Sequence, residues 1–176
     1  MKSKIIIYTI GHSTHSIEEF IALLKQYNIT ELVDIRTIPK SRHNPQFNEK
    51  ELAHSLRTHH IGYRHEKHLG GLRHAQKDSI NLGWHNASFR GFADYMQTQE
   101  FKNALEKLIE QAHHKVVAIM CAEAVPWRCH RSLIGDALLA HKIDVQDIYS
   151  LTSSKPHKMT PWAKIHGKTI IYPTDK

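Results

Sequence analysis

The chain has 176 residues, 40% apolar and 23% charged, with 24 basic against 17 acidic side chains and a formal charge of +7. That length holds one domain with a real core, and the composition excludes disordered, collagen-like and disulfide-scaffold classes. No apolar run approaches the roughly 20 residues of a membrane helix, and IIIYTI leads into GHSTHS without a small-residue cleavage pattern, so no signal peptide is read.

KIIIYTIG (4–11) is a run of β-branched residues and reads as a buried strand. Ser16 with Glu19 three residues later is a capping-box pattern that opens an amphipathic helix through about Tyr27. ELVDIR (31–36) is the second strand. The two prolines of TIPKSRHNPQFN (37–48) predict a long polar loop without regular structure. Asn48 is placed to cap a helix through about His59, and IGYRH (61–65) is a short strand ending near Leu69-Gly70-Gly71. Residues 72–87 read as irregular surface chain. SFRGFADYMQT (88–98) suggests a helix, and EFKNALEKLIEQAHH (100–114) a second with apolar spacing of three and four. KVVAIMC (115–121) is the most apolar strand and is expected near the centre of the sheet. CHRSLIGDALLAHK (129–142) predicts a helix, and VQDIYS (145–150) the last core strand. PWAKI and KTIIYP flank His166-Gly167, a two-residue turn in which glycine supplies positive φ.

Strands alternating with helices imply a single α/β domain over residues 1–176. The expected architecture is a mostly parallel central sheet with helices on both faces and a small C-terminal β-hairpin appendage. Two cysteines without an export signal suggest a reducing compartment, and the expected location is cytoplasmic.

In a parallel sheet the strand C-termini share one edge, where open α/β folds bind ligands. The text after each strong strand is chemically loaded. The first runs into Gly11-His12-Ser13. The second carries Asp34 and Arg36, then releases Lys40, Ser41 and Arg42. The central strand delivers Cys121 and Glu123. Asp34 and Arg36 are two apart and share a strand face. They fit a structural ion pair equally with a crevice role, in which Arg36 meets a ligand oxyanion and Asp34 orients it.

In the helix after CAEAVPWR, Leu133, Ile134, Ala137 and Leu138 form the inward stripe at about 100° per residue, and His130 projects along it. His130 is either a catalytic base or a core histidine bonded to backbone carbonyls. Arg131 in the first turn sits against the partial positive charge of a helix N-terminus. An anion between them would relieve the repulsion, so Arg128, Arg131 and the free N–H groups form a candidate phosphate or carboxylate cradle.

The cysteines admit several chemistries. Cys121 follows a strand and precedes a helix, as in cysteine-dependent phosphatases, but six residues separate it from Arg128 where their loop has five. Glu123 in that loop would also repel a phosphate dianion. Cys129, beside Arg128, Arg131 and His130, is either an activated thiolate or a small buried hydrophobe. Glu123 joins His130 as an acid–base candidate. Cys121, Cys129, His130 and His12 or Glu123 are a possible zinc or iron set, although neighbouring Cys129 and His130 diverge on a helix. No cofactor can be named. A Cys121–Cys129 disulfide is sterically possible and disfavoured by the expected compartment.

TIGHS (9–13), VDIR (33–36), PKSRHNPQFN (39–48), LGG (69–71), FRGFADYMQTQEF (89–101), CAE (121–123) and CHRSLI (129–134) together resemble a widespread bacterial family catalogued only as a domain of unknown function. TPWAKIHGKTIIYP near the end is similar to that family's usual close. The resemblance implies an α/β fold in which these loops form one site, and carries no established reaction with it.

The positive charge favours anionic partners. One reading is an enzyme acting on an anionic substrate, with Arg36, Arg42 and Arg131 binding, Glu123 or His130 moving protons and Cys129 a possible nucleophile. The other is a non-catalytic nucleic-acid-binding module, suggested by aromatic residues among basic ones in YRHEKH and WHNASFRGF. No membrane partner is expected.

Overall fold

The structure is a computed structural model and describes residues 4–174. The chain runs through β1 (Ile6–Gly11), α1 (Ile17–Gln26), β2 (Glu31–Asp34), α2 (Glu49–Thr58), β3 (Gly62–His65), α3 (Ala87–Tyr95) and α4 (Gln99–Ala112). It continues through β4 (Val117–Cys121), α5 (Arg131–Ala140), β5 (Asp144–Ile148), β6 (Ser154–Pro156), β7 (Lys164–His166) and β8 (Thr169–Ile171). A six-stranded sheet has the order β3-β2-β4-β1-β5-β6. Its pairings are parallel except that of β5 with β6, and β7 pairs antiparallel with β8 as a separate hairpin. Among the described residues no helix is long and apolar enough to cross a membrane.

Period-2 alternation divides the interior into two cores. Val117, Ile119 and Cys121 face one way, with Phe92, Leu105, Leu133 and Leu138 from the helices α3, α4 and α5. Ala118 and Met120 face the other way, with Phe20, Leu24, Leu52 and Leu56 from α1 and α2. Buried β4 therefore reads as a continuous apolar run, because each face meets a helix layer. The chain leaving β1 enters α1 on one face, whereas the chain leaving neighbouring β4 enters α5 on the other. Such diverging exits open a crevice at the C-terminal edge of a parallel sheet.

Several elements differ from the sequence reading. The second strand stops at Asp34, so Arg36 lies just beyond it. Segment 37–48 contains a 3-10 turn at Pro45–Phe47, where proline at the start needs no N–H and buried Phe47 pins the loop to the core. Asn48 precedes α2, but its side chain makes no helix-capping bond and instead accepts from the Ser41 N–H at 2.8 Å. The helix predicted from Cys129 begins at Arg131, because a 3-10 turn at Pro126–Arg128 leaves Cys129 extended. β6 carries no apolar signal, and the free edge of β5 creates it. In the hairpin, His166 pairs with Thr169, so the turn residues are Gly167 and Lys168, with Gly167 at φ 65°.

A buried polar layer ties the C-terminal segment to this frame. His157 bridges Asp136 at 3.0 Å and Asp147 at 2.9 Å. The Thr9 hydroxyl donates to Asp147, and the Tyr172 hydroxyl donates to Asp136 at 2.8 Å. Burial alone would lower the pKa of His157, but the two carboxylate partners outweigh it and hold the imidazolium at about 9. The folded pKa thus exceeds the unfolded value of 6.5. The stabilisation is full below pH 6.5 and is lost as pH rises through about 9. Urea unfolding should show stability falling by on the order of 3 kcal/mol across that window. His157→Gln should be less stable at pH 6 and show no such decline, and parallel pH profiles for both proteins would refute the bridge.

Candidate functional site

The ends of β2 and β4, the approach to α5 and the start of α3 enclose a cavity of about 390 Å³. Cys121 and Glu123 enter from β4 and its exit, and Arg128, Cys129 and His130 from the segment before α5. Arg36 and Lys40 enter from the chain after β2, with Gly71 and Phe89 opposite.

Arg36 is the best-anchored cation on this wall. Its Nε and one terminal nitrogen donate to the two Asp34 oxygens at 2.9 and 2.7 Å, and that nitrogen also donates to the Phe47 carbonyl at 2.7 Å. Asp34 is fully buried and additionally accepts from the Tyr63 hydroxyl at 2.6 Å. Burial and the Asp34 charge push the Tyr63 phenol far above its usual range, so it remains a donor. The second terminal nitrogen of Arg36 lies 3.5 Å from His12 Nε2. Buried His12 stacks on Phe47 at 4.4 Å, and its Nδ1–H donates to the Ser13 carbonyl at 2.9 Å. Desolvation lowers the His12 pKa, and Arg36 pushes the same way, so a neutral ring faces the guanidinium. A bidentate pair of this kind holds one cationic edge in fixed orientation.

His130 is held as the carbonyl-bonded alternative describes. Its Nε2–H is shared between the Leu69 and Ile35 carbonyls at 2.9 and 3.2 Å, which leaves the Nδ1 lone pair 3.3 Å from Cys129 Sγ. Burial drives its pKa down to about 4 against the opposing pull of those carbonyls. The glycine of the LGG stretch is required here: a Cβ on Gly71 would press on the imidazole within 2.5 Å of Nδ1. Gly11 has a related role, since a Cβ there would overlap the Glu123 carbonyl oxygen.

The two cysteines are free thiols, 2% and 8% exposed, that line the same cavity; Cys121 Sγ–H donates to the Glu123 carbonyl at 3.5 Å, and Cys129 Sγ lies 3.3 Å from His130 Nδ1. Burial alone would raise Cys121, but the Cys129 hydrogen bond and the Arg131 guanidinium outweigh it, and the net direction is down. Cys129 moves far up, first through its bond to Cys121, then through burial and the neighbouring charge. The sequence left Cys129 as either an activated thiolate or a small buried hydrophobe; it is buried and its pKa moves up, while that of Cys121 moves down.

Arg131 does not line the cavity. It is fully buried and donates to Thr9 Oγ1 at 3.3 Å and to the Glu123 and Ala124 carbonyls at 3.2 and 3.4 Å. Its charge therefore supports the floor electrostatically, and its backbone N–H donates to Cys129 Sγ at 3.4 Å. Ser13 lines a smaller pocket with Ala124 and Tyr149, while its backbone N–H donates to the Ala122 carbonyl at 3.0 Å, beside Cys121. Ser41 accepts from the Asn44 N–H at 3.1 Å within its own loop, and exposed Arg42 does not line the cavity. Among the described residues no group of three or more His, Cys, Asp or Glu converges as a metal site. The aromatics offered for base stacking are engaged internally: Tyr63 on Asp34, and Trp84 against Phe89, Trp162 and Tyr172.

Residues 16–138 match the family described as "Domain of unknown function DUF488". The chain belongs to that family. No curated protein and no solved structure matches the chain. The DUF488 match takes in β2, β4, both cysteines and Arg36, and so contains the whole cavity wall. It begins after His12 and Ser13 and ends before Asp147 and His157. Sequence reading missed Phe89 as a wall residue and Thr9 and Asp147 as the partners beneath the floor. Phe89 and Gly71 had a signal, since both lie in stretches on which the resemblance to a family was read and within the matched residues. Thr9 and Asp147 had none beyond being polar inside apolar strands.

Asp34→Asn removes one partner of a fully buried ion pair and should cost on the order of 3 kcal/mol. Urea unfolding at pH 7 measures it, and an unchanged midpoint would show that Arg36 does not depend on Asp34.

Proposed function

We propose that the cavity binds an anionic substrate and that Cys121 attacks it as a thiolate. The observation that carries this reading is the Cys121–Cys129 pair at the floor of a cavity with Arg36, Lys40 and Arg128 on its walls. A thiolate is the reactive form of cysteine, and buried positive charge together with a donated hydrogen bond stabilises it. The cations perform two tasks: they gather the anion, and they hold it against the nucleophile. Neutral His130 presents its Nδ1 lone pair 3.3 Å from the Cys129 sulfur and is placed to accept that thiol's proton. Glu123, exposed on the same wall, is placed to exchange a proton with a leaving group and disfavours a phosphate-like dianion in favour of a carboxylate. The nucleic-acid alternative loses support because stacking needs free aromatic faces.

Paired alkylation rates test the reading. Iodoacetate carries the charge that iodoacetamide lacks, so their rate ratio at Cys121, relative to free cysteine, should rise about tenfold. Modification should reach Cys121 before Cys129, with a half-maximal pH below that of free cysteine. Replacing both Lys40 and Arg128 by Ala should return the ratio to the free-cysteine value. A wild-type ratio equal to that of free cysteine would remove the anion site.

A further inference from the structure

The proposed attack by Cys121 leaves a second thiol unexplained. Cys129 lines the same cavity as Cys121 and is held there by three features. Cys121 ends β4 on the sheet face that α5 covers, Arg131 N–H holds the Cys129 sulfur, and His130 Nδ1 stands beside it. We infer that Cys121 and Cys129 form a catalytic dithiol that reduces low-molecular-weight disulfides carrying carboxylate groups, with Cys121 the attacking and Cys129 the resolving thiol. This rests on the anion-site reading and names its substrate class.

The chemistry closes without an outside reagent. Cys121 thiolate attacks one sulfur of the substrate RSSR, forming a Cys121–S–SR mixed disulfide and expelling RS⁻. The Cys129 proton passes to that thiolate, giving RSH. Cys129 thiolate then attacks Cys121 Sγ, forming the Cys121–Cys129 disulfide and expelling the second RS⁻. The protein pair has lost two electrons, and the substrate has gained them. The reverse exchange with a dithiol reductant resets the site.

The surroundings suit both halves. At rest, the interaction with the Cys121 side chain raises Cys129 most, burial adds to it, and the Cys121 charge comes after both. Once Cys121 is capped by SR, that charge is gone, while the Arg131 N–H and guanidinium remain to favour a Cys129 thiolate. Attack on the substrate therefore activates the resolving thiol. Closing the disulfide requires the sulfurs to approach to about 2.05 Å. The intervening chain permits it, because Cys129 is extended and lies between a 3-10 turn and a helix that starts at Arg131. No helical hydrogen bond of α5 need break.

The cavity selects the substrate class. About 390 Å³ is far more space than a peroxide needs and falls in the range of small-molecule sites. Arg36, Lys40 and Arg128 match carboxylates, and Glu123 opposes dianions. Ile38 and Leu72, 59% and 73% exposed, line the same cavity and suit the methylene arms that join carboxylate to sulfur.

The test mixes reduced wild-type protein, without oxygen, with dithiodiglycolate or with the cationic disulfide cystamine, and follows products by mass spectrometry. Dithiodiglycolate should yield the Cys121–Cys129 disulfide and two released thiols per chain. Its rate, normalised to free cysteine, should exceed that of cystamine about tenfold. Cys129→Ser should stop at a mixed disulfide on Cys121. Equal or reversed rates for the two disulfides, or a mixed disulfide on Cys129, would overturn the inference. So would an internal disulfide that forms with hydrogen peroxide but with neither disulfide. If the iodoacetate preference persists while no internal disulfide forms, the dithiol inference fails and the anion site stands. The wild-type comparison decides the matter even if the variant does not fold.

Discussion

A guanidinium with no exposed surface lies where the ends of β1 and β4 meet the start of α5, and the candidate site depends on how its charge is answered. Arg131 has no carboxylate in direct contact. It bonds the Thr9 hydroxyl, which in turn donates to Asp147, and two carbonyls of the chain leaving β4. Among the described residues its Nε has no hydrogen-bond partner. An isolated buried cation is costly, so neighbouring groups are driven towards negative charge. Asp147 supplies part of the answer at one remove, and the same guanidinium pulls the Cys121 thiol towards ionisation from the other side.

The same arrangement joins fold to site. Asp147 belongs to β5 and is shared with His157, which reaches Asp136 on α5, and Asp136 also holds Tyr172 after β8. The C-terminal hairpin therefore braces the helix that carries Arg131. On the opposite flank, the Asp34–Arg36 pair is locked by Tyr63 and by the Phe47 carbonyl. One wall of the cavity is thus rigid through ion pairing and the other through a buried network, while the chain carrying Cys129 between them has little regular structure. A pre-shaped pocket containing one adjustable thiol follows from that division.

Two thiols lining one cavity influence each other's titration. Cys121 is shifted down and Cys129 up through this interaction, with burial opposing the first shift and adding to the second. This asymmetry gives the pair distinct chemical roles without any difference in residue type. Membership of DUF488 neither supplies nor limits the reaction, and the functional reading rests on the cavity itself.

The sequence by itself determined the layers, the helix-covered parallel sheet and the crowding of polar residues at one edge. These are properties of local period: β-branched runs and spacing of three and four are set by the residues themselves. Only the tertiary structure decided that Arg42 does not line the cavity, that Arg131 points into the interior, and that Cys121 is the acidified thiol. Those outcomes depend on Thr9, Asp147, Leu69 and Ile35, groups distant in the chain whose partners are chosen by packing. Burial converts a residue's charge into an interaction with whatever lies next to it, and no sequence pattern records that neighbour.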